Sequence, residues 1–116
     1  RASNFVMDGC VIRDCTYGLA TIERSSNVSF RETSFRDTGE FALITVQASD
    51  RVTWSECIFE RNHGSALFSV DAESREIRVE RSTFSRNNVD SFCDNPDSLS
   101  VDGAQFTKNS FEPVGD

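Results

Sequence analysis

No stretch of the sequence approaches 18 consecutive apolar residues, so no membrane-spanning helix is expected. Basic residues are scarce: 12 Lys and Arg stand against 19 Asp and Glu, a net charge of −7. Binding a nucleic-acid backbone needs a basic face, so nucleic acid is not expected as a partner. There is one His, His63, and the four Cys form no C-x-x-C pair, which argues against a metal centre. No signal peptide is visible and the first residue is Arg. The chain is therefore read as processed, or cut from something longer. Leucine is rare, with four in all. Phenylalanine is abundant, with ten, and 37% of residues are hydrophobic. That is not the composition of a disordered tail. At 116 residues the chain suits one domain, 1–116, which can bury roughly 65% of its unfolded surface.

The Phe residues recur at a fixed spacing. The stretch Val52–Asn62, V-T-W-S-E-C-I-F-E-R-N, shows the pattern best. An apolar residue opens it. A large apolar residue follows at +2, a small residue or Cys at +5, Phe or Ile at +7, and often Asn at +10. The openers are Phe5, Val28, Val52, Ile77 and Leu99, spaced by 23, 24, 25 and 22 residues. Repeats of this length signal a stacked architecture. Steps of two are strand periodicity, and the step of three from +2 to +5 is a bend. A second apolar run follows the Asn, as in Ala42–Val46 and Ala66–Val70, and supplies a third strand. The expected fold is all-β: a parallel β-helix solenoid of about five coils of 22–25 residues with three short strands each. The coils start near 5, 28, 52, 77 and 99, and 110–116 form a C-terminal tail.

A leucine-rich repeat has a similar period, but it needs Leu at most apolar positions and a helical return. Four Leu and strand-like returns disfavour it. The stretches Asn27–Thr38 (N-V-S-F-R-E-T-S-F-R-D-T) and Arg51–Asn62 (R-V-T-W-S-E-C-I-F-E-R-N) make the chain resemble the right-handed parallel β-helix, or pectin-lyase-like, superfamily. The resemblance covers nearly all of the chain. It implies right-handedness, which also follows from the rule for parallel crossovers. It slightly favours an extracytoplasmic or cell-surface location. It implies no single activity, because the superfamily holds lyases, hydrolases, epimerases, tailspikes and non-enzymatic scaffolds.

Stacking predicts columns of like residues ~4.8 Å apart. Phe35, Phe59, Phe84 and Phe106 should form an inner aromatic column. Asn62, Asn87 and Asn109 should form another at a turn, with left-handed backbone and amides bonded to the next coil. Cys10 and Cys57 share the inward +5 position two coils apart, too far for a disulfide. Cys93 should be buried in another wall, and Cys15 sits at a turn. Buried free thiols are the main reading, with a Cys10–Cys15 bridge as the alternative.

Enzymes on this fold draw acids and bases from the outer face of one strand column. The outward +1 column is Val6, Ser29, Thr53, Arg78 and Ser100, and the outward +6 column is Val11, Ser34, Ile58, Thr83 and Gln105. Neither holds paired carboxylates. Glu32 and Glu56 stack at +4 and are a candidate carboxylate pair on spacing alone, against the plainer reading of a solvated turn. Arg61, Arg86 and Lys108 are candidate polyanion-binding residues, against a reading as surface ion pairs. Asp90, Asp94 and Asp97 are a weak calcium candidate, against an ordinary Asn-Pro-Asp turn. Asn27-Val28-Ser29 is a glycosylation sequon. The +15 positions Ala20, Leu43, Leu67 and Phe92, with Phe41 close by, read as an outward apolar stripe that needs cover by a loop, the tail or a protein partner.

The expected function is a non-catalytic structural or protein-interaction module. It would be a segment of a larger β-helical protein or an accessory subunit of an assembly. Partner or self-contacts would run through the open coil ends and the apolar stripe. The alternative is a carbohydrate-active fragment that binds or cleaves an acidic polysaccharide. No cofactor is expected.

Overall fold

The computed structural model describes residues 3–13, 20–95 and 98–111, with the backbone alone at residues 3 and 40–42. Among the described residues, fourteen strands wind into three parallel walls. The first wall holds β1 (Ser3–Asp8), β4 (Ser26–Arg31), β7 (Asp50–Ser55), β10 (Arg75–Glu80) and β13 (Leu99–Asp102), in that order. The second holds β2 (Val11–Arg13), β5 (Ser34–Arg36), β8 (Ile58–Glu60), β11 (Thr83–Ser85) and β14 (Gln105–Thr107). The third holds β3 (Ala20–Glu23), β6 (Gly39–Gln47), β9 (His63–Val70) and β12 (Asn88–Asp94). The described strands thus give four coils of three strands and the first two strands of a fifth. Among the described residues, no helix is long and apolar enough to cross a membrane.

Register follows the repeat. In the first wall Val28 pairs with Val52, and Val52 with Ile77. In the second, Phe35 pairs with Phe59, Phe59 with Phe84, and Phe84 with Phe106. Those four rings stack face to face at 5.0, 4.7 and 5.0 Å, within 10° of parallel. The first wall adds Phe30 stacked on Trp54 at 5.5 Å. Trp54, Phe35, Phe59 and Phe84 are fully buried, so the aromatic column is the core.

Three corners join the walls, and each carries its own hydrogen-bond ladder. At the first, the Cys57 N–H donates to Ser82 Oγ (3.2 Å). At the second, Asn62 and Asn87 are buried, and each Asn amide is used fully. Asn87 Oδ1 accepts from the Asn62 N–H (3.1 Å) and Asn62 Nδ2 (3.0 Å), while Asn87 Nδ2 donates to the Phe59 carbonyl (2.9 Å) and Asn109 Oδ1 (3.0 Å). At the third, the Ser25 N–H donates to Ser49 Oγ and the Ser49 N–H to Ser74 Oγ (3.2 and 3.1 Å). The Asn ladder was expected. The serine ladder was not, although a Ser three residues before each of the openers Val28, Val52 and Ile77 is its signal.

At the second corner the left-handed residues are not the ladder residues Asn62, Asn87 and Asn109. Positive φ falls one position earlier, at Asp37, Arg61, Arg86 and Lys108 (54–56°), and at the first corner on Gly9, Glu32, Glu56, Arg81 and Gly103 (47–68°). This conformation costs a non-Gly residue about 1–2 kcal/mol. The cost is tolerated because it lets each turn amide keep bonding to the next coil. Glu32, Glu56 and Arg81 donate to the carbonyls of Ser55, Glu80 and Asp102, and Asp37, Arg61 and Arg86 to those of Glu60, Ser85 and Thr107, all at 2.8–3.1 Å.

The third wall corrects the expected outward stripe. Leu43 and Leu67 have no exposed surface, and Phe92 is buried. Ala20, placed in the same column from the sequence, pairs with Ile44 instead. Phe68 meets Trp54 and Phe59, while Phe92, one coil below Leu67, meets Phe84 and Phe106. Both Leu67 and Phe68 therefore face the interior: the long strand turns a corner between them, and strict alternation lapses. The side chain of Phe41 lies outside the described residues. Glutamate at position 67 would bury an unpaired carboxylate. Leu67→Glu is expected to lower unfolding free energy by about 4 kcal/mol or more in urea titration; an unchanged midpoint would contradict this placement.

Candidate functional site

The outer faces of the first two walls have the columns read from the sequence. Ser29, Thr53, Arg78 and Ser100 align in register, as do Ser34, Ile58, Thr83 and Gln105. Glu32 and Glu56 are exposed turn residues held left-handed by the first corner. Arg81, next in their column, donates to Ser55 Oγ at 3.1 Å. Both side chains stand open to solvent at the corner.

The second corner sorts the three basic candidates into two kinds. Arg61 grips Asp37, one coil above, with Nε–Oδ1 at 2.8 Å and Nη2–Oδ2 at 3.3 Å, and also reaches Glu60 at 3.3 Å. Its hydrogen bond to Asp37 raises the Arg61 pKa and lowers that of Asp37. Arg36 and Glu60 pair more loosely at 3.9 Å. Arg86 and Lys108 continue the same column and are exposed, with no side-chain hydrogen bond or ion pair among the described residues.

Asp90 and Asp94 are exposed and lie on one strand, four residues apart. That is at most roughly 13 Å along the strand, so the two carboxylates are not gathered in a compact loop of the kind that supplies calcium with several oxygen ligands. Asp97 lies outside the described residues. Among the described residues no group of three His, Cys, Asp or Glu is placed to hold a metal ion. His63 is exposed and its imidazole lies over Gly39, its register partner, leaving no room for a side chain there.

The thiols differ by coil. Cys57 is buried, donates towards the Phe30 carbonyl at 3.3 Å, and has its pKa pushed up by burial to about 11. Cys93 aligns with Phe68 but is only half-buried, and burial pushes its pKa to about 12. Cys10 was expected to be buried and is exposed, because it belongs to the first coil. It is a free thiol; Cys15 lies outside the described residues.

The first coil is the least covered part of the described chain. Phe5 is 41% exposed, and the outward Val6 and Val11 are 58% and 52% exposed. Phe5, Met7, Ile12, Ile22, Val28 and Phe30 line a cavity of about 370 Å³ that opens at this end. At the opposite end Phe111 packs on Phe92 and Phe106 at 5.4 and 5.9 Å.

Asp71 carries the other shifted carboxylate. It accepts from Ser74 Oγ (2.6 Å) and from the N–H of left-handed Ala48 (3.0 Å), and the Ser74 bond chiefly lowers its pKa. A carboxylate whose folded pKa lies below its unfolded value contributes stability above the unfolded pKa, lost as pH falls through the folded one. Stability should therefore decline as pH drops below about 4. Asp37→Asn and Asp71→Asn should each flatten that decline in urea titrations; parallel curves would show that neither carboxylate is anchored as described.

The model of a right-handed β-helix region matches residues 1–112. A search of curated proteins finds no match. Together with three parallel walls in register, the family match shows that the chain belongs to the right-handed β-helix family.

Proposed function

We propose that the chain is a non-catalytic structural module whose first coil is an interaction face for another β-helical coil. One observation carries the reading: the first coil is apolar on both sides of its strands. Phe5, Met7 and Ile12 face the cavity, while Val6 and Val11 face out. In the coils below, the columns of Val6 and Val11 hold Ser29, Thr53, Arg78 and Ser100, and Ser34, Thr83 and Gln105, with Ile58 the exception. A large exposed apolar surface marks an interaction site. The partner's chemistry follows from β1, which pairs with β4 on one edge and, among the described residues, with no strand on the other. A strand laid there in register would continue the inner columns over the cavity. The stripe of Leu43 and Leu67 plays no part, because both are buried.

Arg61, one of the residues that suggested an acidic polysaccharide, is already committed to Asp37. The interaction reading is tested by sedimentation over a range of concentrations. The wild-type chain is expected to self-associate, and Val6→Asp with Val11→Lys to leave a folded monomer. A monomeric wild type, or equal association of the variant, would reject it.

A further inference from the structure

The second corner has an unbalanced charge in its lower half. Asp37, Arg61, Arg86 and Lys108 share one column and one backbone conformation, with φ of 54–56°, so their side chains leave the corner alike. In the upper half the column neutralises itself, with the Asp37 carboxylate in the fork of Arg61. The neighbouring column does the same with Arg36 and Glu60. Below them stand Arg86 and Lys108, one strand spacing apart, about 4.8 Å. The neighbouring positions are Ser85 and Thr107, register partners of each other, while Glu60, the register partner of Ser85 in the coil above, is taken up by Arg36 and Arg61. No side-chain hydrogen bond or ion pair of Arg86, Lys108, Ser85 or Thr107 occurs among the described residues. Like charges on adjacent coils repel.

We propose that Arg86 and Lys108, with the hydroxyls of Ser85 and Thr107, bind a divalent tetrahedral oxyanion: a sulfate or phosphate group. The Asp37–Arg61 pair shows the alternative within the same column. One carboxylate saturates one guanidinium fork, so a monovalent ligand on Arg86 would leave Lys108 unpaired. A tetrahedral dianion offers two oxygens to the fork, a third to the ammonium and a fourth to a hydroxyl. Arg and Lys both suit this role, the first by geometry and the second as a point charge.

The test is titration of the whole chain with inorganic sulfate, inorganic phosphate and acetate at matched ionic strength, followed by amide and Arg Nε–H NMR shifts. Sulfate and phosphate should give saturable shifts centred on Arg86 and Lys108, and acetate should not. Phosphate binding should strengthen as pH rises through its second ionisation, while sulfate binding stays flat; the tighter anion at pH 8 identifies the ester class to pursue. Arg86→Gln with Lys108→Gln should weaken binding at least tenfold without unfolding, and Arg75→Gln, elsewhere on the surface, should not change it. Shifts that fail to saturate, match those of acetate, or survive the double variant would overturn the site.

Discussion

The constraint on which everything else rests is register. Each coil must return the chain to a point one strand spacing from where the last coil passed, at all three corners. The corners enforce this with polar side chains that reach across coils. Asn87 alone joins Asn62 above, Asn109 below and the Phe59 carbonyl. A buried amide left without these partners would cost about 1–3 kcal/mol for each unsatisfied group. A coil that slips by one residue breaks every rung, and it also turns the Phe column outward. Polar ladder and aromatic stack therefore specify the same alignment.

The same constraint explains why most left-handed turn positions carry residues other than glycine. Among the described residues, fourteen non-Gly positions have positive φ, Arg and Glu among them. Local preference opposes that conformation, and cross-coil hydrogen bonds override it. Because these positions point to solvent, their charges are free to vary. Asp37 and Arg61 use that freedom to brace two coils, and Arg86 and Lys108 leave it open. The interior is repetitive while the corner surface differs from coil to coil, so the differences on this scaffold lie outside.

Much of this architecture was legible in the sequence because stacking repeats the physics at a fixed interval. Phe at +7 and Asn at +10 survive from coil to coil and announced both the core and one ladder. The third wall was less legible. Alternation placed Leu43 and Leu67 outside, but paired apolar residues in successive coils, Leu43-Ile44 and Leu67-Phe68, mark a strand that bends and buries both. Most left-handed turns were unreadable from residue type, since Arg, Glu and Lys carry no preference for them, although Gly9 and Gly103 do. Asp90 and Asp94 lie along one strand, whereas closeness in sequence had suggested a compact loop, and Asp97 lies outside the described residues. The split among Arg61, Arg86 and Lys108 needed the fork geometry, which composition does not encode.

The central claim is that residues some two dozen positions apart stack like on like through buried ladders. Hydrogen exchange at the Asn87 side-chain amide, with nuclear Overhauser contacts assigned in the same sample, tests it most directly. The account predicts protection comparable to that of core strand amides and contacts to the Asn62 and Asn109 carboxamides. Exchange at the rate of a free asparagine, with no contact to either, would contradict it.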